Sequence, residues 1–135
     1  MKYKHVFFIW LLADAFLALG LLAFAVYEQF SGGSKNDLEM FVLFVLYGIL
    51  VSLPSLVTML IFHFVYSKNV KAGTDHKPAY IILIISINIL YLVVGLFYGM
   101  TSEFNYFYIA STLAGLLSFY LVDRAVKKKL QPAKV

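Results

Sequence analysis

Four long apolar segments constrain the fold of this chain more than any other feature of its sequence. They cover residues 6–26, 40–65, 79–100 and 106–122, which is 86 of the 135 residues. About 20 residues of α-helix cross the hydrocarbon core of a bilayer. Because backbone groups in lipid must be hydrogen-bonded within the protein, each segment is expected to form a helix. The sequence therefore predicts an all-α integral membrane four-helix bundle.

The composition excludes an ordinary water-soluble enzyme. Hydrophobic residues make up 62% of the chain and charged residues 13%, against about 45–50% and about 25% in soluble domains. The connections between the apolar segments are too short to fold alone, so residues 1–135 are expected to form a single transmembrane domain that ends in a basic tail, 123–135. The chain has no cysteine, which excludes disulfides and thiolate metal sites.

The basic residues are distributed unevenly between the two sides of the expected membrane. All except Lys35 lie before the first segment, between the second and third, or after the fourth. By the positive-inside rule, both termini are expected to be cytoplasmic in a bacterial-type inner (plasma) membrane, with residue 33 outside and residue 73 inside. No nucleic acid is expected as a partner. Anionic lipid headgroups are the expected partners of four basic residues on the cytoplasmic tail, namely Arg124, Lys127, Lys128 and Lys129.

The first apolar segment also resembles a secretory signal peptide. Lys2 and Lys4 precede it, and residues 23–25 read Ala-Phe-Ala, a typical cleavage pattern. The segment is longer than the usual 7–15 residues of a signal peptide, and Asp14 lies in its middle. We therefore expect a retained membrane span.

Each segment carries a stripe of small or polar residues at helical spacing. Membrane helices pack through such residues and through interhelical hydrogen bonds, because lipid provides no hydrophobic drive between helices. Four glycines are expected at helix contacts, namely Gly48, Gly95, Gly99 and Gly115. The polar members predict one buried cluster near the bilayer midplane, although the serines among them also fit simple packing. The members of this cluster are Asp14, Ser52, Ser55, Asn88, Tyr91, Ser111 and Ser118.

Asp14 is the residue that simple packing explains least well. An ionised Asp at mid-membrane costs about 2.5–3.5 kcal/mol on insertion scales, and no basic residue lies at a matching depth. We expect a neutral or hydrogen-bonded side chain, with Asn88 as the best partner. Three roles stay open for it: a structural or interface hydrogen bond, a step in a proton or ion path, and a polar contact to a ligand.

Pro54 interrupts the longest segment and is a candidate hinge. A proline inside a helix removes one backbone hydrogen bond and frees the carbonyl of the residue four positions earlier, here Leu50. The hydroxyls of Ser52, Ser55 and Thr58 could restore the bonding. The sequence predicts a kink at this position.

No metal, cofactor or catalytic activity is expected. His5, His63 and His76 have no recognised ligand spacing and are interpreted as residues of the membrane boundary. Nucleophile elbows, phosphate loops and zinc-protease motifs are absent from the sequence. Six tyrosines near the segment ends are interpreted as an anchoring aromatic belt, namely Tyr3, Tyr27, Tyr66, Tyr80, Tyr106 and Tyr108.

Two classes of function fit these features. In the first, the helices bind another membrane protein, and the chain acts as an accessory subunit or as an immunity protein against a membrane-active toxin. This likeness is one of size and topology only. In the second, the chain is a small transporter or channel subunit that works as a homo-oligomer, with Asp14 linked to proton or ion movement. A lipid- or isoprenoid-handling enzyme is a weaker third interpretation.

Overall fold

The computed structural model describes residues 1–32, 37–99 and 105–130. These residues form four α-helices, α1 (Tyr3–Phe30), α2 (Asp37–Asn69), α3 (Lys77–Phe97) and α4 (Asn105–Leu130). All four are long and apolar enough to cross a membrane. The prediction of an all-α, four-helix membrane protein is confirmed.

The helix ends differ from the ends of the apolar segments. Helix α4 continues past the apolar run to Leu130, and Lys127, Lys128 and Lys129 occupy its last turn, where basic side chains interact favourably with the helix dipole. Helix α3 ends at Phe97 rather than at residue 100. The chain turns there because Gly99 adopts a φ of 75°, which disfavours residues with a side chain.

The helices pack in the order α2, α1, α4, α3. Helix α1 contacts both α2 and α4, and α4 also contacts α3. Helices α2 and α3 meet through individual side chains, among them Tyr91, whose hydroxyl donates a hydrogen bond to the carbonyl oxygen of Val51 at 2.8 Å. Helix α1 therefore connects α2 to the pair formed by α4 and α3.

The packed core lies at one end of the bundle, which we call the basic end. This end contains the start of α1, the connection between α2 and α3, and the C-terminal turns of α4. Among the described side chains, none of α1 after Trp10 and none of α2 before Met59 is buried. In the opposite half, α1 and α2 are thus loosely packed. The buried apolar residues form one cluster, which consists of Val6, Ile9, Met59, Tyr80, Ile84, Ile87, Phe119 and Val122.

Among the glycines whose surroundings the structure describes, Gly115 lies closest to a neighbouring helix. A Cβ atom built on Gly115 would lie 2.9 Å from Cγ2 of Ile84, which is 4% exposed on α3. Gly95 is also buried. Gly48 is exposed, and a Cβ atom on Gly48 or on Gly99 would meet no atom within 4 Å. Of the four glycines predicted at helix contacts, Gly95 and Gly115 are therefore buried.

We expect Gly115→Val to lower the free energy of unfolding by about 2 kcal/mol, since added methyl groups in a packed site force neighbours to shift. Cγ2 of Ile84 is a methyl group attached directly to the β-carbon, so it cannot move away as the end of a long, flexible side chain could. Unfolding by dodecyl sulfate titration in mild detergent measures the effect. Gly48→Val is the matched control, and a similar loss in both variants would contradict the close contact of α3 with α4.

Candidate functional site

Three polar side chains connect α1 to α2 near the middle of both helices. Ser52 Oγ donates a hydrogen bond to Asp14 Oδ2 at 2.7 Å. Trp10 Nε1 donates to Ser52 at two atoms, Oγ at 3.1 Å and the carbonyl oxygen at 3.3 Å. Trp10 is buried, whereas Asp14 and Ser52 are partly exposed. We call Trp10, Asp14 and Ser52 the Asp14 cluster.

The position of Trp10 explains how α1 builds this cluster. Trp10 precedes Asp14 by four residues, so both side chains lie on the same face of the helix, about one turn apart. That face contacts α2, and both side chains reach Ser52. This spacing is present in the sequence, but the predicted polar cluster does not include Trp10.

The Asp14 cluster can satisfy the carboxyl group in either protonation state. Ser52 Oγ also lies 2.9 Å from the carbonyl oxygen of Ile49, and a hydroxyl has one proton to donate. When Asp14 is ionised, Ser52 donates to its carboxylate. When Asp14 is protonated, its own O–H can donate to Ser52 Oγ, and Ser52 can then donate to Ile49. Protonation of Asp14 therefore exchanges donor and acceptor in its hydrogen bond with Ser52 and requires no change of fold.

The turn of α2 before Pro54 is bonded by side chains of two other helices. Helix α2 is continuous through Pro54. The carbonyl oxygen of Ser52 accepts hydrogen bonds from Trp10 and, at 2.6 Å, from Ser55 Oγ, and that of Val51 accepts from Tyr91. These bonds hold the region where a proline weakens the helix. A hinge at Pro54 stays a prediction.

The structure brings together four members of the predicted polar cluster and leaves the others apart. Asp14, Ser52, Ser55 and Tyr91 surround the same turn of α2. The side chains of Asn88 and Ser118 instead donate to carbonyl oxygens of their own helices, those of Ile84 at 2.9 Å and Ala114 at 2.6 Å. Ser111 is partly buried on α4.

The partner of Asp14 is therefore Ser52, and the expectation of Asn88 is wrong. A polar side chain in an apolar helix often bonds to the carbonyl one turn earlier, because that acceptor is always within reach. Asn88 does this with Ile84. Its amide is thereby satisfied without crossing to α1.

A second polar contact lies inside the core at the basic end. His63 on α2 and Tyr80 on α3 are 4% and 1% exposed, and Nδ1 of His63 is hydrogen-bonded to the hydroxyl of Tyr80. The Tyr80 ring stacks on Phe119, with 5.6 Å between ring centroids. Interpreting Tyr80 as a belt residue and His63 as a boundary residue is therefore wrong. Facing aromatic residues from other helices enclose both.

An apolar layer separates this pair from the Asp14 cluster. Ser52 and His63 are eleven residues apart on α2, or about 16–17 Å along the helix. Buried Met59 lies between them, in the same apolar cluster as Ile9 and Ile84. The two polar contacts are thus distinct sites.

The charged residues of the basic end form a short network between α3 and α4. Asp123 Oδ2 lies 3.1 Å from Lys127 Nζ and 3.9 Å from Lys77 Nζ. Of the predicted headgroup ligands, Lys127 thus has an acidic partner, and Arg124, Lys128 and Lys129 are exposed on the same helix. Among the residues that the structure describes, no three His, Asp or Glu side chains are close enough to hold a metal ion.

No protein-family model, curated protein or solved structure matches this chain. The fold and its hydropathy define a small polytopic membrane protein with four candidate transmembrane helices.

Proposed function

We propose that this protein binds the membrane-spanning part of another protein along the α1–α2 face that contains the Asp14 cluster. The observation that carries the proposal is the partial exposure of Asp14 near the middle of a membrane-spanning helix. A charged side chain at this depth costs about 2.5–3.5 kcal/mol on insertion scales. A helix that offers a hydrogen-bond donor to Asp14 would reduce this cost, and acyl chains cannot.

The uneven packing of the bundle supports the same proposal. The core at the basic end holds the four helices together. In the opposite half, α1 has no buried residue after Trp10, and Ala18 and Ala25 on the face of Asp14 are only partly buried. Small residues allow a second backbone to approach closely. A partner helix can therefore pack against this half without disturbing the core.

Two roles of this kind follow from the size and the short connections of the chain. One is an accessory subunit of a larger membrane complex. The other is an immunity protein that binds and inhibits a membrane-active toxin. In both roles the chain works by helix contact, and we propose no catalytic step.

A small oligomeric transporter is the second candidate. The ability of the Asp14 cluster to accommodate both protonation states favours it, because proton-coupled carriers need a carboxyl group that gains and loses a proton. The apolar layer around Met59 separates the cluster from the basic end. A proton path would therefore require several copies of the chain.

Asp14→Leu is expected to reduce the yield of the partner at least tenfold when the protein is purified from its native membranes in mild detergent. Asp14→Asn should keep most of the yield, because an amide still hydrogen-bonds at this position. Quantitative mass spectrometry of the co-purified proteins measures the effect. Asn88→Leu is the matched control, since Asn88 lies at a similar depth but bonds to its own helix.

Flux measurements in proteoliposomes separate the two candidates. An interaction protein gives no proton or solute flux above that of empty vesicles. Flux that Asp14→Asn abolishes, together with no specific co-purified protein, would reject the interaction proposal and support the transporter.

A further inference from the structure

A cleft of about 280 Å³ opens at the basic end, between the start of α1, the end of α2 and the connection to α3. Its lining includes the polar residues Ser67, Lys71 and His76 and the aromatic residues Tyr66 and Tyr80. Because α2 and α3 are membrane-spanning candidates that end and begin here, the cleft lies at the level where lipid headgroups meet the hydrocarbon.

The charges around the cleft favour an anion. Lys71 lines it, and no Asp or Glu is among its lining residues. Both ion pairs found in the described part of the chain involve Asp123, so Lys71 has no acidic partner there. The nearest acid in sequence, Asp75, accepts a hydrogen bond from the backbone N–H of Lys77 at 3.2 Å and is not part of the lining.

His76 adds a polar group that the protein itself leaves unpaired. Its Nδ1 is buried and has no hydrogen-bond partner, although the great majority of buried polar atoms have one. The ring is held edge-to-face against Tyr66, with 5.4 Å between centroids. His76 is also the residue that precedes α3, and the N-terminal end of a helix attracts negative charge. These features complement a group rich in acceptor oxygens.

We propose that this cleft binds the phosphate group of an anionic phospholipid from the adjoining leaflet. Lys71 and His76 contact the phosphate, and the partly exposed ring of Tyr66 contacts the apolar part of the lipid. Phosphate carries several acceptor oxygens and matches a lysine beside an unpaired imidazole. This site is separate from the Asp14 cluster and from the exposed basic residues of α4, and it is independent of the proposed partner.

Lys71→Ala and His76→Phe are each expected to weaken binding of short-chain phosphatidylglycerol at least tenfold. Native mass spectrometry of the purified full chain, titrated with phosphatidylglycerol or phosphatidylcholine, gives the apparent Kd. His76→Phe keeps an aromatic ring against Tyr66, and the melting temperature without added lipid identifies any variant that fails to fold. Lys71→Gln is the substitute if Lys71→Ala is misfolded. Lys128→Ala is the matched control, because it removes one charge from the exposed face of α4.

Each outcome decides the proposal. The lipid site is supported if the protein prefers phosphatidylglycerol and if Lys71→Ala and His76→Phe each remove this preference. Lys128→Ala should retain it. Equal weakening by Lys128→Ala, or equal binding of the two lipids, overturns it in favour of general attraction to the basic end. Inorganic phosphate is tested as a third ligand. If it displaces phosphatidylglycerol at concentrations similar to those of the lipid, the lipid is rejected as the occupant and the cleft is assigned to a soluble phosphate compound.

Discussion

Tyr80→Ala is expected to lower the free energy of unfolding by about 3 kcal/mol, the lower end of the range for large aromatic residues in packed cores. Tyr80 is 1% exposed, and its ring contacts Phe119 and Phe62 from two other helices. Its removal leaves a cavity where α2, α3 and α4 meet. It also leaves buried His63 without its hydrogen-bond partner. Dodecyl sulfate titration in mild detergent, followed by circular dichroism, measures the loss.

Two further variants separate the ring from the hydroxyl. Tyr80→Phe keeps the ring and should cost about 1–2 kcal/mol, because His63 is then buried and unpaired. Combining Tyr80→Phe with His63→Phe removes both polar partners and should recover much of that loss. If Tyr80→Ala and Tyr80→Phe were equally destabilising, the packing of the ring in the core would be refuted.

Trp10→Ala is expected to have the second large effect, again about 3 kcal/mol. Trp10 is 8% exposed, and its indole N–H bonds to Ser52 across the contact of α1 with α2. The substitution removes a large ring from this contact and one of the two side chains that bind Ser52 from α1. The same denaturant titration measures it.

Trp10→Phe and Ser52→Ala form a double-mutant cycle for the hydrogen bond itself. Trp10→Phe should cost about 1 kcal/mol, since most of the ring remains. Directly contacting residues show coupling energies of about 0.5–3 kcal/mol, and we expect a value near the lower limit. Additive losses in the double variant would mean that the indole and Ser52 do not interact. Tyr120→Phe, at an exposed tyrosine of α4, is the control for a change that touches no core contact.

The fold could be predicted from the sequence because the bilayer allows so few structures. An apolar segment of about 20 residues in lipid forms a helix whatever its exact side chains are, so four segments gave four helices. Length and hydropathy do not specify how far each helix extends into the headgroup region. The end of α3 depended on a local backbone feature, the left-handed Gly99.

The site could be predicted in part. Depth in the membrane follows from position along the segment, and this correctly placed Asp14 and Ser52 at the same level. Rotation of each helix about its axis depends on contacts between helices, which a single sequence does not contain. For this reason the sequence favours Asn88 as the partner of Asp14 and the aromatic belt as the place of Tyr80, whereas the structure shows Ser52 and a core position. Gly48 and Gly115 illustrate the same limit, since only Gly115 faces another helix.

The contact of α1 with α4 has a consequence for the synthesis of this protein. Translation delivers these four helices to the membrane in chain order, so α1 arrives before α4. Val6 and Ile9 share their cluster with Phe119 and Val122, and contacts between residues so distant in the chain form late. Until α4 has been inserted, one face of α1 is exposed to lipid or to the insertion machinery. The nascent chain can therefore complete this core only when α4 has entered the membrane.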